Sequence, residues 1–138
     1  MSSKKKRILI IDDEPDITLT FKKILEEHGF KERVDTFNEP HLALQNFKAG
    51  KYGLLIIDVA MPVIDGFGLY QQLKLIDNKP KVLFATAFYV HYDALRRYFP
   101  IEDENNEIEE ILGDTGGRFI KKPIDMETLI RRVRSELN

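Results

Sequence analysis

Asp12 and Asp13 follow one apolar run, Asp58 stands alone at the end of another, Thr86 closes a third, and Lys121, Lys122 and Pro123 end a fourth. Carboxylates brought within a few ångströms of one another repel, and such a cluster persists only where a cation or shared protons neutralise it. The chain has no cysteine and three histidines, His28, His41 and His91, none with a histidine at i+3 or i+4, so a thiolate or imidazole metal site is disfavoured and the ligands are oxygens. Mg2+ suits that inventory, because it keeps several waters and takes one or two carboxylates together with phosphate oxygens. A carboxylate can then attack phosphorus to form an aspartyl phosphate, while the metal and a lysine neutralise the charge on the equatorial oxygens. Asp58 is the candidate nucleophile, with the adjacent pair left to hold the metal and Lys122 to meet the phosphate.

Taken singly, each feature is ordinary. An Asp-Asp pair after a strand is usually a solvated turn, a Thr at a strand end bonds to backbone, and lysines beside a proline face solvent. Their conjunction has meaning only if the fold brings them to one edge. The elements predict that it does. Ile8 to Ile11 reads as a strand buried on both faces. Pro15 opens a helix with Ile17, Phe21, Ile24, Leu25 and His28 on one face, stopped by Gly29. Arg33 to Phe37 is a second strand, and Pro40 to Ala49 a helix closed by Gly50. Leu54 to Ile57 is a third strand. Asp65 caps a helix over Gly66 to Ile76, with Leu69, Tyr70, Leu73 and Ile76 on its stripe. Lys81 to Thr86 and Arg118 to Lys121 are the remaining strands, and Asp125 caps a last helix that buries Met126, Leu129, Ile130, Val133 and Leu137. Alternating strands and helices predict an α/β fold, a doubly wound five-stranded parallel sheet. Ligands of such sheets bind beyond the carboxyl ends of the strands, where these acids and the lysine fall.

One stretch breaks the rhythm. Residues 87–117 number 31, whereas a mean helix of ~11–12 residues with two connections of ~4–6 needs only ~20–24. The connection between strands 4 and 5 is therefore enlarged: an aromatic half, Tyr89 to Phe99, precedes Pro100, and an acidic half with Glu102, Asp103, Glu104, Glu107, Glu109 and Glu110 leads to a short helix at Ile108, Ile111 and Leu112.

A length of 138 residues allows one domain, 8–138, behind a flexible basic tail, 1–7. With 21 basic against 23 acidic residues the net charge of −2 argues against nucleic-acid binding by this domain. No apolar run reaches the ~18 residues of a membrane span and no signal peptide opens the chain, so a cytoplasmic protein is expected.

These residues resemble the receiver domain of two-component response regulators, the family that includes the chemotaxis regulator. The likeness rests on Ile8 to Asp13, on Leu54 to Gly66 (LLIIDVAMPVIDG), on Thr86-Ala87, and on Phe119 to Pro123 (FIKKP). It implies a flavodoxin-like strand order 2-1-3-4-5, a signalling phosphoacceptor rather than an enzyme, and phosphorylation of Asp58 by a histidine kinase or histidine phosphotransfer protein. Asp12, Asp13 and Asp58 would hold Mg2+ with the backbone carbonyl of Ala60, and Thr86, Ala87 and Lys122 would contact the phosphoryl group. The Lys122-Pro123 bond is expected to be cis. Phe119 would turn inward as the hydroxyl of Thr86 swings onto the phosphate, and the altered strand 4/strand 5 face would meet a downstream protein. Ala60 and Phe88 occupy positions that govern water access in the family, and neither can hold a water by hydrogen bonding, so slow loss of phosphate is expected. A haloacid-dehalogenase-type hydrolase fits less well, because that family wants Asp-x-Asp where this chain has an adjacent pair. A phosphorylation-independent interaction module is the other alternative. No output domain is expected after the last helix, so the chain is either a stand-alone regulator or the receiver half of a longer one.

Overall fold

A computed structural model of the chain describes residues 6–86 and 118–137. Five parallel strands run in the order β2-β1-β3-β4-β5. In chain order the elements are β1 (Arg7–Ile11), α1 (Pro15–Glu27), β2 (Val34–Phe37), α2 (Pro40–Asn46), β3 (Tyr52–Asp58), α3 (Gly66–Ile76), β4 (Lys81–Thr86), β5 (Phe119–Lys121) and α4 (Met126–Leu137). The expected enlargement between β4 and β5, with its aromatic half and short acidic helix, lies outside the described residues.

The continuous apolar runs make central strands because both faces of the sheet are covered. Alternate residues divide cleanly between two cores: Leu9, Ile11, Leu55, Ile57, Val82 and Phe84 pack toward α2 and α3, while Ile8, Ile10, Leu54, Ile56 and Leu83 pack toward α1 and α4. Each fully buried side chain of this size stabilises the fold by about 1.5–3 kcal/mol, which makes a one-residue slip of β1 or β3 prohibitive. The register that places the strand ends is fixed by that penalty.

Several expectations are corrected. The second helix ends at Asn46 rather than Ala49: Phe47 leaves the helix in extended backbone, becomes buried, and stacks on Tyr52 with ring centroids 5.6 Å apart. Burial of that ring outweighs the local helix preference. Ile76 and Met126, both assigned to buried stripes, are exposed: one is the last residue of α3 and the other the first of α4. Phe67 fills the α3 core instead, edge-on to Phe84 at 4.8 Å. Arg7 is not tail but the first residue of β1. Its guanidinium donates to Asp35 at 3.0 and 2.6 Å, and the Tyr52 hydroxyl donates to the same carboxylate at 2.7 Å. This hydrogen bonding, led by Arg7, holds the Asp35 carboxyl down to about 2 and ties β2, β1 and β3 at their amino ends.

At the β5 edge of the sheet, Arg118 grips Glu136 with two hydrogen bonds of 2.6 and 2.9 Å, and Arg132 donates to the carbonyl of Phe119 at 3.1 Å. Bidentate pairing of this kind fixes orientation as well as distance. It locks α4 against β5 and so sets where the chain emerges at Lys122.

Candidate functional site

The order β2-β1-β3 reverses the direction of winding between β1 and β3, so the carboxyl ends of those two strands open a crevice. Asp12 leaves β1 there and Asp58 is the last residue of β3. Each of Asp12, Asp13 and Asp58 offers an oxygen, and these oxygens all lie within 4.8 Å of one another. Lys122 reaches in from the end of β5, donating to Asp12 Oδ2 at 2.7 Å and to Asp58 Oδ1 at 3.2 Å. The other Asp12 oxygen, Oδ1, accepts from the Glu14 N–H at 2.9 Å, which orients the carboxylate.

Asp12 and Asp58 are buried, only 2% and 4% exposed, while Asp13 is half-buried at the mouth. Burial first, and the neighbouring Asp12 charge second, push the Asp58 carboxyl up to about 6 against the opposing pull of Lys122. Burial by itself would lower the Lys122 ammonium, but Asp12 and Asp58 more than offset it and hold it above its ordinary value. One ammonium facing three carboxylates leaves the rim short of positive charge. A hard divalent cation among oxygen ligands supplies what is missing, so the residues present fit the metal implied by the sequence.

The turn from β3 into α3 closes over the site. Asp65 caps α3 by accepting from the Gly68 N–H at 2.9 Å, and the Gly66 N–H donates to the Val59 carbonyl at 2.9 Å. A Cβ on Gly66 would strike the carbonyl oxygen of Asp58 itself and sit 3.0 Å from the Val59 Cα. Backbone is the obstacle, and it cannot rotate away as a side chain would. Gly66→Ala is therefore expected to cost about 1–3 kcal/mol in urea unfolding and to weaken Mg2+ binding, since the displaced atoms carry Asp58. An unchanged unfolding midpoint would refute this account of the turn.

The remaining expected residues fall as follows. Ala60 is exposed, two residues beyond Asp58 in the same turn. Thr86 ends β4 in register with Lys121, although its side chain is not among the described atoms. Phe119 is half-buried and packs against Phe67 and Phe84 at 6.0 and 5.7 Å, on the α3 side of the sheet. The Lys122-Pro123 bond is cis, as expected. Ala87 and Phe88 lie outside the described residues. Sequence reasoning missed Asn38, whose side chain braces the Asp12 loop from β2, and Gly66. For Gly66 the signal was a glycine directly after a capping Asp; for Asn38 there was none beyond an amide at a strand end.

A parallel, doubly wound sheet with three acids and a lysine gathered at its switch point defines an α/β protein of flavodoxin-like architecture with a candidate cation site. Residues 8–134 match the response regulator receiver domain as a family. The receiver protein CpdR of Brucella abortus is 31% identical over 118 residues, covering 78% of this chain and 97% of that one. The transcriptional regulatory protein PcoR of Escherichia coli is 29% identical over 133 residues, covering 95% of this chain and 51% of its own length. Among solved structures, a chain in the complex of histidine kinase ThkA with response regulator TrrA superposes with a TM-score of 0.68 at 29% identity, covering 96% of this chain and 99% of that chain. The chain belongs to the response regulator receiver domain family, the signalling modules of two-component systems. It spans about half the length of the transcriptional regulators it matches. Among the described residues, no helix is long and apolar enough to cross a membrane.

Proposed function

We propose that Asp58 accepts a phosphoryl group from a phosphohistidine donor, with Mg2+ held by Asp12, Asp13 and Asp58 and completed by the Ala60 carbonyl. The observation that carries this reading is the junction of Asp58 to Asp12 through the single ammonium of Lys122, with Asp13 within ligand distance. An Asp58 carboxylate oxygen attacks phosphorus, the P–N bond of the phosphoimidazole breaks, and its electron pair returns to the histidine ring nitrogen. Mg2+, when bound, neutralises charge on the phosphoryl oxygens and offsets the repulsion among the acids. Lys122 is placed to turn its ammonium from Asp58 Oδ1 to a phosphoryl oxygen, and burial of Asp58 keeps bulk water from the acyl phosphate. Thr86 and the backbone of Ala87 would contact that phosphate from the end of β4.

Phosphorylation then acts as a switch rather than as turnover, the protein doing chemistry only on itself. Drawing the Thr86 hydroxyl toward the phosphate would free space for Phe119, which already packs on Phe84 and Phe67, and so change the β4–β5 face that a downstream protein reads. The histidine kinase seen bound in the ThkA–TrrA complex is the class of donor this site suits. The direct test is incubation with a small acyl phosphate donor and Mg2+, followed by intact mass. Uptake of one phosphoryl group that disappears with a chelator is the expected result; no uptake by the folded protein refutes the reading. With a methyl at Ala60 on the exposed rim, nothing at that position can align an attacking water. The phosphoryl group is accordingly expected to persist for many minutes after the donor is removed, and Ala60→Asn to shorten its lifetime. A lifetime of seconds in the wild type would contradict this.

A further inference from the structure

We infer that Asn38 is a positioning residue for the metal site, acting through the backbone of Asp12. The inference rests on the proposed Mg2+ role of Asp12 and Asp13. Asn38 follows β2, outside the cluster of acids, and its Nδ2 has two hydrogens. One is donated to the main-chain carbonyl of Asp12 at 2.8 Å and the other to Thr18 Oγ1 at 3.0 Å. Thr18 is 2% exposed, and its hydroxyl donates in turn to the Pro15 carbonyl at 3.1 Å. The Asp12 N–H donates to the Phe37 carbonyl at 3.2 Å. Residues 37 and 38 therefore hold both polar atoms of the Asp12 main chain.

This has a geometric consequence. Fixing the Asp12 carbonyl fixes the plane of the peptide that joins Asp12 to Asp13, and with it the direction in which Asp13 leaves. The Asp13 side chain is half-buried and meets the Asp58 carboxyl in a side-chain hydrogen bond, and no lysine or arginine among the described residues donates to it, so the backbone sets its approach together with that contact. Asn38 also occupies the Asp12 carbonyl with a donor that, unlike a solvent water, is itself anchored at Thr18. An uncharged amide achieves this without adding to the negative charge of the site; an aspartate there would present oxygens to a carbonyl oxygen.

Partners that orient metal ligands from outside the coordination sphere typically affect affinity 10–100-fold. Asn38→Leu, which keeps the branched shape but removes both donors, is expected to weaken Mg2+ binding about 10-fold in titration calorimetry. Thr18→Val breaks only the outer anchor and should move the affinity less than about 3-fold, even where it lowers thermal stability comparably. Asn38→Ser, a small donor, provides an intermediate should the leucine variant fold poorly, and should recover part of the affinity. Mg2+ affinities of Asn38→Leu and Thr18→Val that both match the wild type would overturn the inference and leave Asn38 a purely structural brace. Equal weakening in both would overturn it too, since loop stability rather than Asp12 orientation would then govern binding. Failure of the wild-type protein to bind Mg2+ would instead strike the proposed function itself.

Discussion

Asp58→Asn is expected to abolish phosphoryl uptake while making the metal-free protein more stable. The two effects have one origin. Burial and the Asp12 charge disfavour the ionised Asp58, as its elevated carboxyl shows, so the neutral and nearly isosteric amide removes a repulsion that the fold otherwise tolerates. Lys122 keeps its 2.7 Å bond to Asp12, while the longer one, of 3.2 Å, passes from a carboxylate to a neutral amide oxygen and weakens. A net gain on the order of 1 kcal/mol in chemical denaturation without metal is expected, the weakening of that ionic hydrogen bond offsetting part of the relieved repulsion. An amide cannot attack phosphorus, so uptake from an acyl phosphate donor should fall below detection in intact mass. Opposite signs for stability and function are what distinguish a reacting group from a structural one. A variant that still becomes phosphorylated with Mg2+ would reassign the acceptor, and one that is markedly less stable would mean that the acids are already neutralised by shared protons.

The parts of this site that were legible in the chain are those that follow from burial. Ile8 to Ile11 and Leu54 to Ile57 read as central strands because a sheet covered on both faces leaves no polar position to interrupt the run. Once they are parallel neighbours, the acid after each must lie at the same rim, so Asp12 and Asp58 meet without any further signal. What was illegible depends on partners distant in sequence. The end of α2 is decided by Phe47 stacking on Tyr52 across a turn, and the exposure of Ile76 and Met126 by their place at helix termini rather than by helical periodicity. Asn38 is silent until β2 lies beside β1, because its two acceptors belong to another strand and another helix.

Lys122→Met should produce the largest loss of stability of any single change at the rim, and Mg2+ should repair much of it. The lysine side chain is 11% exposed and the side chains of its partners Asp12 and Asp58 are 3% and 5% exposed, so the variant leaves two carboxylates buried beside a thioether. Breaking a buried pair by deleting one partner costs about 3–5 kcal/mol, because the remaining charge has lost both water and counter-ion. A cation held by the same carboxylates replaces the missing charge. Binding confined to the folded state adds about 2.7 kcal/mol at a hundredfold excess over Kd. The difference in unfolding free energy between wild type and Lys122→Met is therefore expected to narrow with added Mg2+, while Na+ at equal ionic strength leaves it in place. Phosphoryl uptake should not recover in step, because a metal restores neutrality among the acids but not the ammonium that faces the incoming phosphate. A gap that stays constant across a Mg2+ titration would show that lysine and metal do not share these carboxylates. Full recovery of uptake would show that Lys122 serves the fold and not the transfer.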